Sequence, residues 1–581
     1  MRLKLPFLSP LKQELDFRRK DWSKDSLESE SMSKQWRSIL AASSPEDVKP
    51  ASNPRQHILF VTGYGLSPAM LSCESVLMMA LHLRGCRVSS LYCNSTLPSC
   101  EFNATGSNRP DAGRHKPGLS KKAILNTCST CVANIHRTFS DLPVSLHGYQ
   151  AFLEPEDWEA ARSASEVPTF ENFRDFQYNG IKVGQEAFSS VLRVTLRGTI
   201  EDSATNRWLV RRYLHSCVLM AIAARRAYQA LQPDRIVATH GVYTTHGIAT
   251  MVANRMGIPI VIHGFSYRKN TIWLSHNDTY HRTLVTEPTS MWVDHKLSSE
   301  EREQTWNYLL SRQAGGRDYV TYHPNPIEDM EILCQELKID RSREIISLFT
   351  NVIWDAQIYY DFNVFTNIFE WVRTTIEEAG KNEKIWLVIR VHPAEVKGGM
   401  PTKQPILPEI MKMFPSLPEN VRIIPPESDL SSYTLANHSR AALIYGTKMG
   451  LEMAARGLNV IVCGETFNRG KGFTIDIESR DQYISILRDI DRIESLDPAM
   501  RELALQYSHY LFFRKMIDFP FTQIDDIPGS KGIRFTIRNL DALKDGASRH
   551  LDTICEGIME SKPLFMSLDA NPLMAADDLR A

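Results

Sequence analysis

The chain has no long hydrophobic run. Nowhere in its 581 residues do the ~18 consecutive apolar residues of a bilayer-spanning helix occur. The opening stretch, MRLKLPFLSPLKQELDFRRKDW, has basic residues but no sustained apolar core, so no secretion signal is expected and the default compartment is the cytoplasm, with at most a peripheral membrane contact. Charge of one sign is lacking too. The formal net charge of -1 offers no global pull on nucleic acid, and no basic-aromatic stripe supplies a local one. Ten cysteines are too few to staple a chain of this size as a disulfide scaffold. No repeat of solenoid period is present.

What is present is globular: 43% hydrophobic and 23% charged residues, enough to bury more than one core. Residues 1–54 read as a polar extension with surface helices and a linker. From His57 the pattern changes. HILFVT (57–62) is a continuous apolar run, as in a strand buried on both faces. A loop, a helical stretch ending near Gly85 and the strand RVSSLYC follow. The same alternation returns at RIVATHG (235–241) and IPIVIHG (258–264), and restarts at EIISLFT (344–350), KIWLVIRVHP, NVRIIPP, AALIYG and NVIVCG. The expected architecture is α/β: two doubly wound, Rossmann-like lobes. Their spans are 55–330 and 331–490, followed by a helical tail over 491–581.

Ligands of an open parallel sheet sit beyond the carboxyl ends of its strands. Three such ends in the second lobe carry suitable chemistry. The first is Arg390-Val391-His392-Pro393-Ala394-Glu395, where Pro393 stiffens the strand end and His392 can donate to a phosphate oxygen. The second runs from Tyr445 through Thr447, Lys448 and Gly450 to Glu452. A helix start there favours an anion, and a carboxylate can accept the hydroxyls of a ribose. The third is a loop in which Arg469 and Lys471 are interleaved with Gly470 and Gly472, suited to closing over phosphates or an acidic sugar. Each has a bland reading: a capping histidine, a dipole-favoured glutamate, a generic surface loop. Together they describe a nucleotide site.

The runs TNVIWDA (350–356), IRVHPAE (389–395), IPPESDLSSYTL (424–435), YGTKMGLEMAARGLNVIVCG (445–464) and RGKGFT (469–474) resemble the bacterial capsule polysaccharide biosynthesis family, over roughly 345–515. The resemblance implies a Kdo-transferase-like glycosyltransferase of the B fold, using a nucleotide-activated sugar with a CMP-linked donor favoured. It implies a phosphate contact for His392-Pro393 and a ribose contact for Glu452. Thr447-Lys448 departs from the pair of Ser or Thr expected before the helix, and marks a place where the donor can differ.

The first lobe is then expected to bind a polysaccharide or lipid-linked glycan acceptor and supply the general base. Candidates are His240 and His263, which close adjacent strands, and Glu74 on the helix after the first. The expected reaction is inverting and needs no metal or cofactor. Cys93-x6-Cys100 and Cys128-x2-Cys131 form a separate cluster that leaves open a structural zinc, an iron–sulfur cluster or unligated thiols. Alternatives of other kinds are a teichoic-acid-type polyol-phosphate transferase, a sugar-nucleotide epimerase and a non-catalytic scaffold of polysaccharide assembly.

Overall fold

A computed structural model describes residues 27–102, 121–314, 317–319, 325–357, 363–397, 401–527 and 530–567. The start of the polar extension and the loop between the cysteine pairs lie outside the described residues. Helix α1 (Leu27–Ala41) is not the surface element expected of a polar segment. Met32 and Trp36 are fully buried, and the Trp36 indole donates to Ser75 Oγ at 3.1 Å. The apolar residues are few, but their spacing of four puts both on one helical face.

The first sheet starts with β1 (His57–Thr62), helix α2 (Pro68–Leu83) and β2 (Arg87–Tyr92). Beyond α3 (Lys121–Phe139) come β3 (Ser145–Gly148) and the long helix α4 (Ala204–Leu231). Ser203 starts α4 by accepting the Asn206 N–H, and Gln232 ends it in the left-handed region, as a helix stop requires. Then follow β4 (Arg235–Thr239), β5 (Ile260–Phe265), β6 (Thr271–His276) and α5 (Tyr280–Thr286). β1 pairs in parallel with β2 and β4, and β4 with β5. β6 returns antiparallel along β5, which the sequence pattern did not indicate.

Helix α6 (Ser299–Ala314) leads to the second sheet, whose strands in chain order are β7 (Glu344–Phe349), β8 (Ile385–Arg390), β9 (Val421–Ile424), β10 (Ala441–Ile444), β11 (Asn459–Val462) and β12 (Ile475–Asp476). All pair in parallel in the spatial order β12-β11-β10-β7-β8-β9. Helices α7 (Ile406–Met413) and α8 (Met449–Ala455) belong to this lobe. Its central strands are buried on both faces, which is why they read as nearly continuous apolar runs.

The tail is helical only in part. Helix α9 (Pro498–His509) leads back to the first lobe, where β13 (Ile517–Asp518) extends that lobe's sheet antiparallel to β6. The hairpin of β14 (Thr522–Ile527) and β15 (Ser530–Phe535) and then helix α10 (Arg549–Glu560) follow. Ile554 and Ile558 of α10 lie in one core with Leu77 and Leu81 of α2. Among the described residues, no helix is long and apolar enough to cross a membrane.

The lobes are tied directly. Tyr243, held at φ 75°, donates its hydroxyl to Asp355 Oδ1 (3.3 Å) and accepts the Ala356 N–H (2.8 Å). Arg193 pairs with Asp355 at 3.2 Å. The Gln404 carbonyl accepts the N–H groups of Gly198 and Thr199, both at 3.1 Å.

Candidate functional site

The carboxyl ends of β7, β8, β10 and β11 open onto one cavity of about 490 Å³, a size suited to a small molecule. The second lobe supplies Thr350-Asn351, His392-Pro393, Gly446 to Lys448 and Glu465 to Phe467. The first lobe faces them with Tyr267, Trp273 and His281, and Arg312, Arg317 and Asp318 enter from the connection.

Glu452 is buried at this cavity and is the hub of a charged network. Its Oε1 accepts Arg312 Nε at 2.9 Å and its Oε2 accepts the Tyr433 hydroxyl at 2.5 Å. Arg312 also pairs with Asp318 and donates to the Tyr308 hydroxyl at 2.9 Å. Burial opposes the charge on Arg312, yet Glu452, Tyr308 and Asp318 hold its pKa well above the usual value. Two hydrogen bonds leave a carboxylate with two further lone-pair directions, so Glu452 keeps capacity for a ligand's hydroxyls. Arg312, Asp318 and Tyr433 were not among the residues expected here. Arg312 lies 140 positions from Glu452, on a helix with no motif to mark it.

Lys448 stands at the mouth of the same network, with Nζ 3.5 Å from Asp318 Oδ2 and 4.2 Å from the centre of the Tyr267 ring. Burial, and next the positive charge of Arg312, bring its pKa down to about 8 against the pull of Asp318. Thr447 lines the cavity beside it and turns its hydroxyl to accept the Met449 N–H at 3.3 Å. Helix α8, at seven residues, is too short to make a strong dipole. The positive field comes from side chains.

His392 lines the cavity half-buried. Thr350 Oγ1 accepts its backbone N–H at 2.9 Å, and its Nδ1 accepts the Ala394 N–H at 3.1 Å. With Nδ1 acting as acceptor, the neutral ring carries its proton on Nε2. The strand-end proline thus brings Ala394 under the ring and sets the tautomer. Arg390 reaches the cavity wall, but its guanidinium donates to the Pro425 carbonyl (2.7 Å), the Ser428 carbonyl (2.9 Å) and Ser432 Oγ (3.3 Å). It braces the 425–432 loop that presents Tyr433. Burial lowers its pKa to about 10.

Four residues expected to contact the donor are placed elsewhere. Glu395 is buried behind the strand end, where both of its oxygens accept the Ile406 N–H at 3.2 Å and start α7. Burial raises its pKa to about 7. Gly450 is a packing glycine. A Cβ there would stand 2.5 Å from Ile444 Cδ1 and 2.7 Å from Asn468 Nδ2. Arg469 donates to the Ile477 carbonyl at 2.5 Å and the Val462 carbonyl at 3.4 Å, stitching β11 to β12. Lys471 is buried and donates to the carbonyls of Val285 (3.2 Å) and Glu287 (2.8 Å) at the end of α5. The loop expected to close over phosphate instead struts the two lobes, because Gly470 (φ 72°) and Gly472 (φ 82°) turn the lysine towards the first lobe.

The first-lobe candidates also lie outside the cavity lining. Glu74 accepts the hydroxyls of Thr62 (2.7 Å) and Thr239 (2.8 Å). His263 is fully buried, with Nε2 3.1 Å from Thr239 Oγ1 and 3.7 Å from Glu74 Oε1. They form one buried polar cluster beneath the strand ends. His240, at φ 64°, sets its Nδ1 2.8 Å from the Tyr280 hydroxyl. Burial and then His281 push its pKa well below the ordinary value. The histidine that reaches the cavity is His281, whose ring centre is 5.0 Å from that of His240. Burial lowers its pKa to about 4, opposed by Asp355.

Cys93, Cys100, Cys128 and Cys131 are half-buried and in no disulfide. Burial raises all four thiols, and Cys93 and Cys128 act electrostatically on both Cys100 and Cys131. No three of the four sulfurs lie within 4.8 Å of one another.

No protein-family model and no curated protein matches the sequence. Among solved structures, the β-Kdo 2,4 transferase KpsC of Thermosulfurimonas dismutans aligns at 16% identity and TM-score 0.33, over 53% of this chain and 85% of its own. The calicheamicin glycosyltransferase CalG4 aligns at 14% identity and TM-score 0.24, over 78% and 94%. The UDP-GlcNAc 2-epimerase of Neisseria meningitidis aligns at 12% identity and TM-score 0.21, over 78% and 98%. At such scores these likenesses carry no functional weight, and the function has to be read from the site.

Proposed function

We propose that the protein is a nucleotide-sugar-dependent glycosyltransferase, acting on a surface polysaccharide or lipid-linked glycan at the cytoplasmic side. The observation that carries this reading is the convergence of His392, from the end of β8, with Lys448 and Glu452, from the end of β10, on one cavity between two lobes. Glu452 receives the donor's ribose hydroxyls, while His392 Nε2–H and Lys448 meet its phosphate. A single phosphate, as in a CMP-linked acidic sugar, matches this small set of cations, and the resemblance to the capsule polysaccharide family points the same way. The Lys448 cation and the His392 N–H meet the phosphate charge, so the reading needs no metal.

His281 takes the place of the expected bases. Its pKa of about 4 keeps it neutral at neutral pH but makes it a weak base. It therefore takes the proton only as the attacking hydroxyl becomes acidic in the transition state. The acceptor hydroxyl then attacks the anomeric carbon as its proton passes to His281. The bond from that carbon to the phosphate oxygen breaks, and the nucleotide leaves with the electron pair. One displacement inverts the anomeric centre.

A thermal-shift series with CMP, UDP and GDP tests the donor site, because a ligand bound only by the folded state raises its stability. CMP is expected to raise Tm most. His281→Ala should keep that shift while transfer falls by about 10²–10⁴-fold. No stabilisation by any nucleotide would sink the donor assignment. Donor turnover without an acceptor would favour an epimerase, and a transferred polyol phosphate a teichoic-acid-type enzyme.

A pH effect follows from Lys448. Its folded-state pKa of about 8 lies below the usual lysine value, so its charge is present at neutral pH and lost as pH rises through about 8. Donor affinity, measured calorimetrically from neutral to alkaline pH, should fall across that range. Lys448→Met should bind weakly and flatten the profile. Lys471, also lowered to about 8 by burial, serves as the control: Lys471→Met should keep the slope.

A further inference from the structure

Far from the donor cavity, three side chains converge without a role in the chemistry above. His295 Nε2 stands 3.0 Å from both oxygens of Glu301. His509 Nε2 stands 3.4 Å from Glu301 Oε1. All three ligand atoms lie within 4.8 Å of one another, and this is the sole such group among the described residues. Glu301 sits in the first turn of α6, and His509 ends α9. The side chains are 20%, 17% and 4% exposed for His295, Glu301 and His509 respectively, so the group is sheltered but reachable.

The surrounding hydrogen bonds set what each group offers the others. The Thr305 hydroxyl donates to the Glu301 backbone carbonyl at 2.7 Å. Its one proton is thereby used, so the contact with His509 Nδ1 at 3.1 Å must be donated by the imidazole. That places the neutral ring's proton on Nδ1 and leaves a bare lone pair on Nε2, aimed at a carboxylate that also offers only lone pairs. A ring nitrogen and a carboxylate oxygen facing each other at 3.4 Å are joined by a cation, which a proton or a metal ion can supply. The Ser298 N–H, donating to Glu301 Oε2 at 2.9 Å, orients the carboxylate, as outer partners of metal ligands do.

We propose that His295, Glu301 and His509 form a binding site for a divalent transition metal of the zinc type. Two imidazoles and one carboxylate are a zinc ligand set, and bonds of about 2.0–2.2 Å in a tetrahedral site put ligand atoms about 3.3 Å apart. The observed 3.0 and 3.4 Å match this. Three protein ligands leave the fourth position to water. The site has a mechanical consequence, because Glu301, Thr305, Tyr308 and Arg312 follow one another along α6 at helical spacing. The metal pins one end of the helix face whose other end delivers Arg312 to Glu452, and it fastens that helix to α9.

Cobalt(II) titration of chelator-treated full-length protein tests the site. The expected result is one cobalt bound per chain, with weak visible bands and no intense near-ultraviolet thiolate-to-cobalt band. That binding should be lost in both Glu301→Gln and His509→Gln. Cys128→Ser/Cys131→Ser, which removes half of the other metal candidate, should bind cobalt as the unaltered protein does. The wild-type titration stands whether or not a variant folds. Absence of stoichiometric cobalt, binding that survives both substitutions, or binding seen only through the thiolate band would each overturn the proposal.

Discussion

Replacing Glu452 by alanine is expected to destabilise the protein by about 3 kcal/mol, the lower part of the range for breaking a buried ion pair, and to abolish nucleotide-dependent stabilisation. The lower part applies because Arg312 keeps Asp318 when Glu452 is removed, so its charge is not left wholly uncompensated. The Tyr433 hydroxyl, by contrast, loses its acceptor. Glu452→Gln separates structure from binding. The amide oxygen can still accept Arg312 Nε, and the Tyr433 hydroxyl can rotate to accept the amide N–H, so most of the stability should survive. An amide offers fewer lone pairs than a carboxylate, though, and the one left beside Arg312 cannot accept both hydroxyls of a ribose. In denaturant unfolding Glu452→Gln should lie close to wild type. In calorimetry its affinity for CMP should fall at least tenfold. If it bound CMP as wild type does, Glu452 would be a structural partner of Arg312 and not a donor contact.

The frame of this molecule was readable wherever burial made the residues uniform. HILFVT, EIISLF and IWLVIR are strands because both faces of a parallel sheet exclude water, and only Ser347 interrupts their apolar interiors. The positions of His392 and Glu452 followed from the same rule about strand ends. What the pattern hid is of three kinds. Short elements carry no period: the two-residue β13 returns the tail to the first sheet with no local sign of it. Partners distant in sequence leave no spacing to read, so Arg312, Asp318 and Tyr433 were invisible beside Glu452. Direction was the third. Lys471 and His240 were picked out for chemistry they can perform, but backbone turns at Gly470 and Gly472, and the left-handed φ of His240 itself, send their side chains to a helix end and to Tyr280. His281 had the right chemistry and no flag, since a histidine on a short helix looks like any surface residue.

That contrast bears on His392, where local sequence did set direction. Substitution by alanine is expected to lower kcat by about 10²–10³-fold, the usual cost of removing one donor aimed at developing charge. KM should change little, because the charge on the leaving phosphate grows as its bond to the sugar breaks, and a donor present at that moment acts mainly on the transition state. Loss of the Nδ1 acceptor leaves the Ala394 N–H without this bond, a penalty of about 1 kcal/mol, too small to unfold the lobe. His392→Gln offers the control. Its amide reaches about as far as the imidazole and restores a neutral N–H donor, so kcat should recover in part. Steady-state kinetics with separate kcat and KM reads both variants. Were His392→Ala to raise KM alone, the histidine would be holding the donor in the ground state. Were glutamine no better than alanine, the ring would be acting through the shape of the strand end it caps, and phosphate stabilisation would fall to cations of the cavity wall such as Lys448 and Arg317.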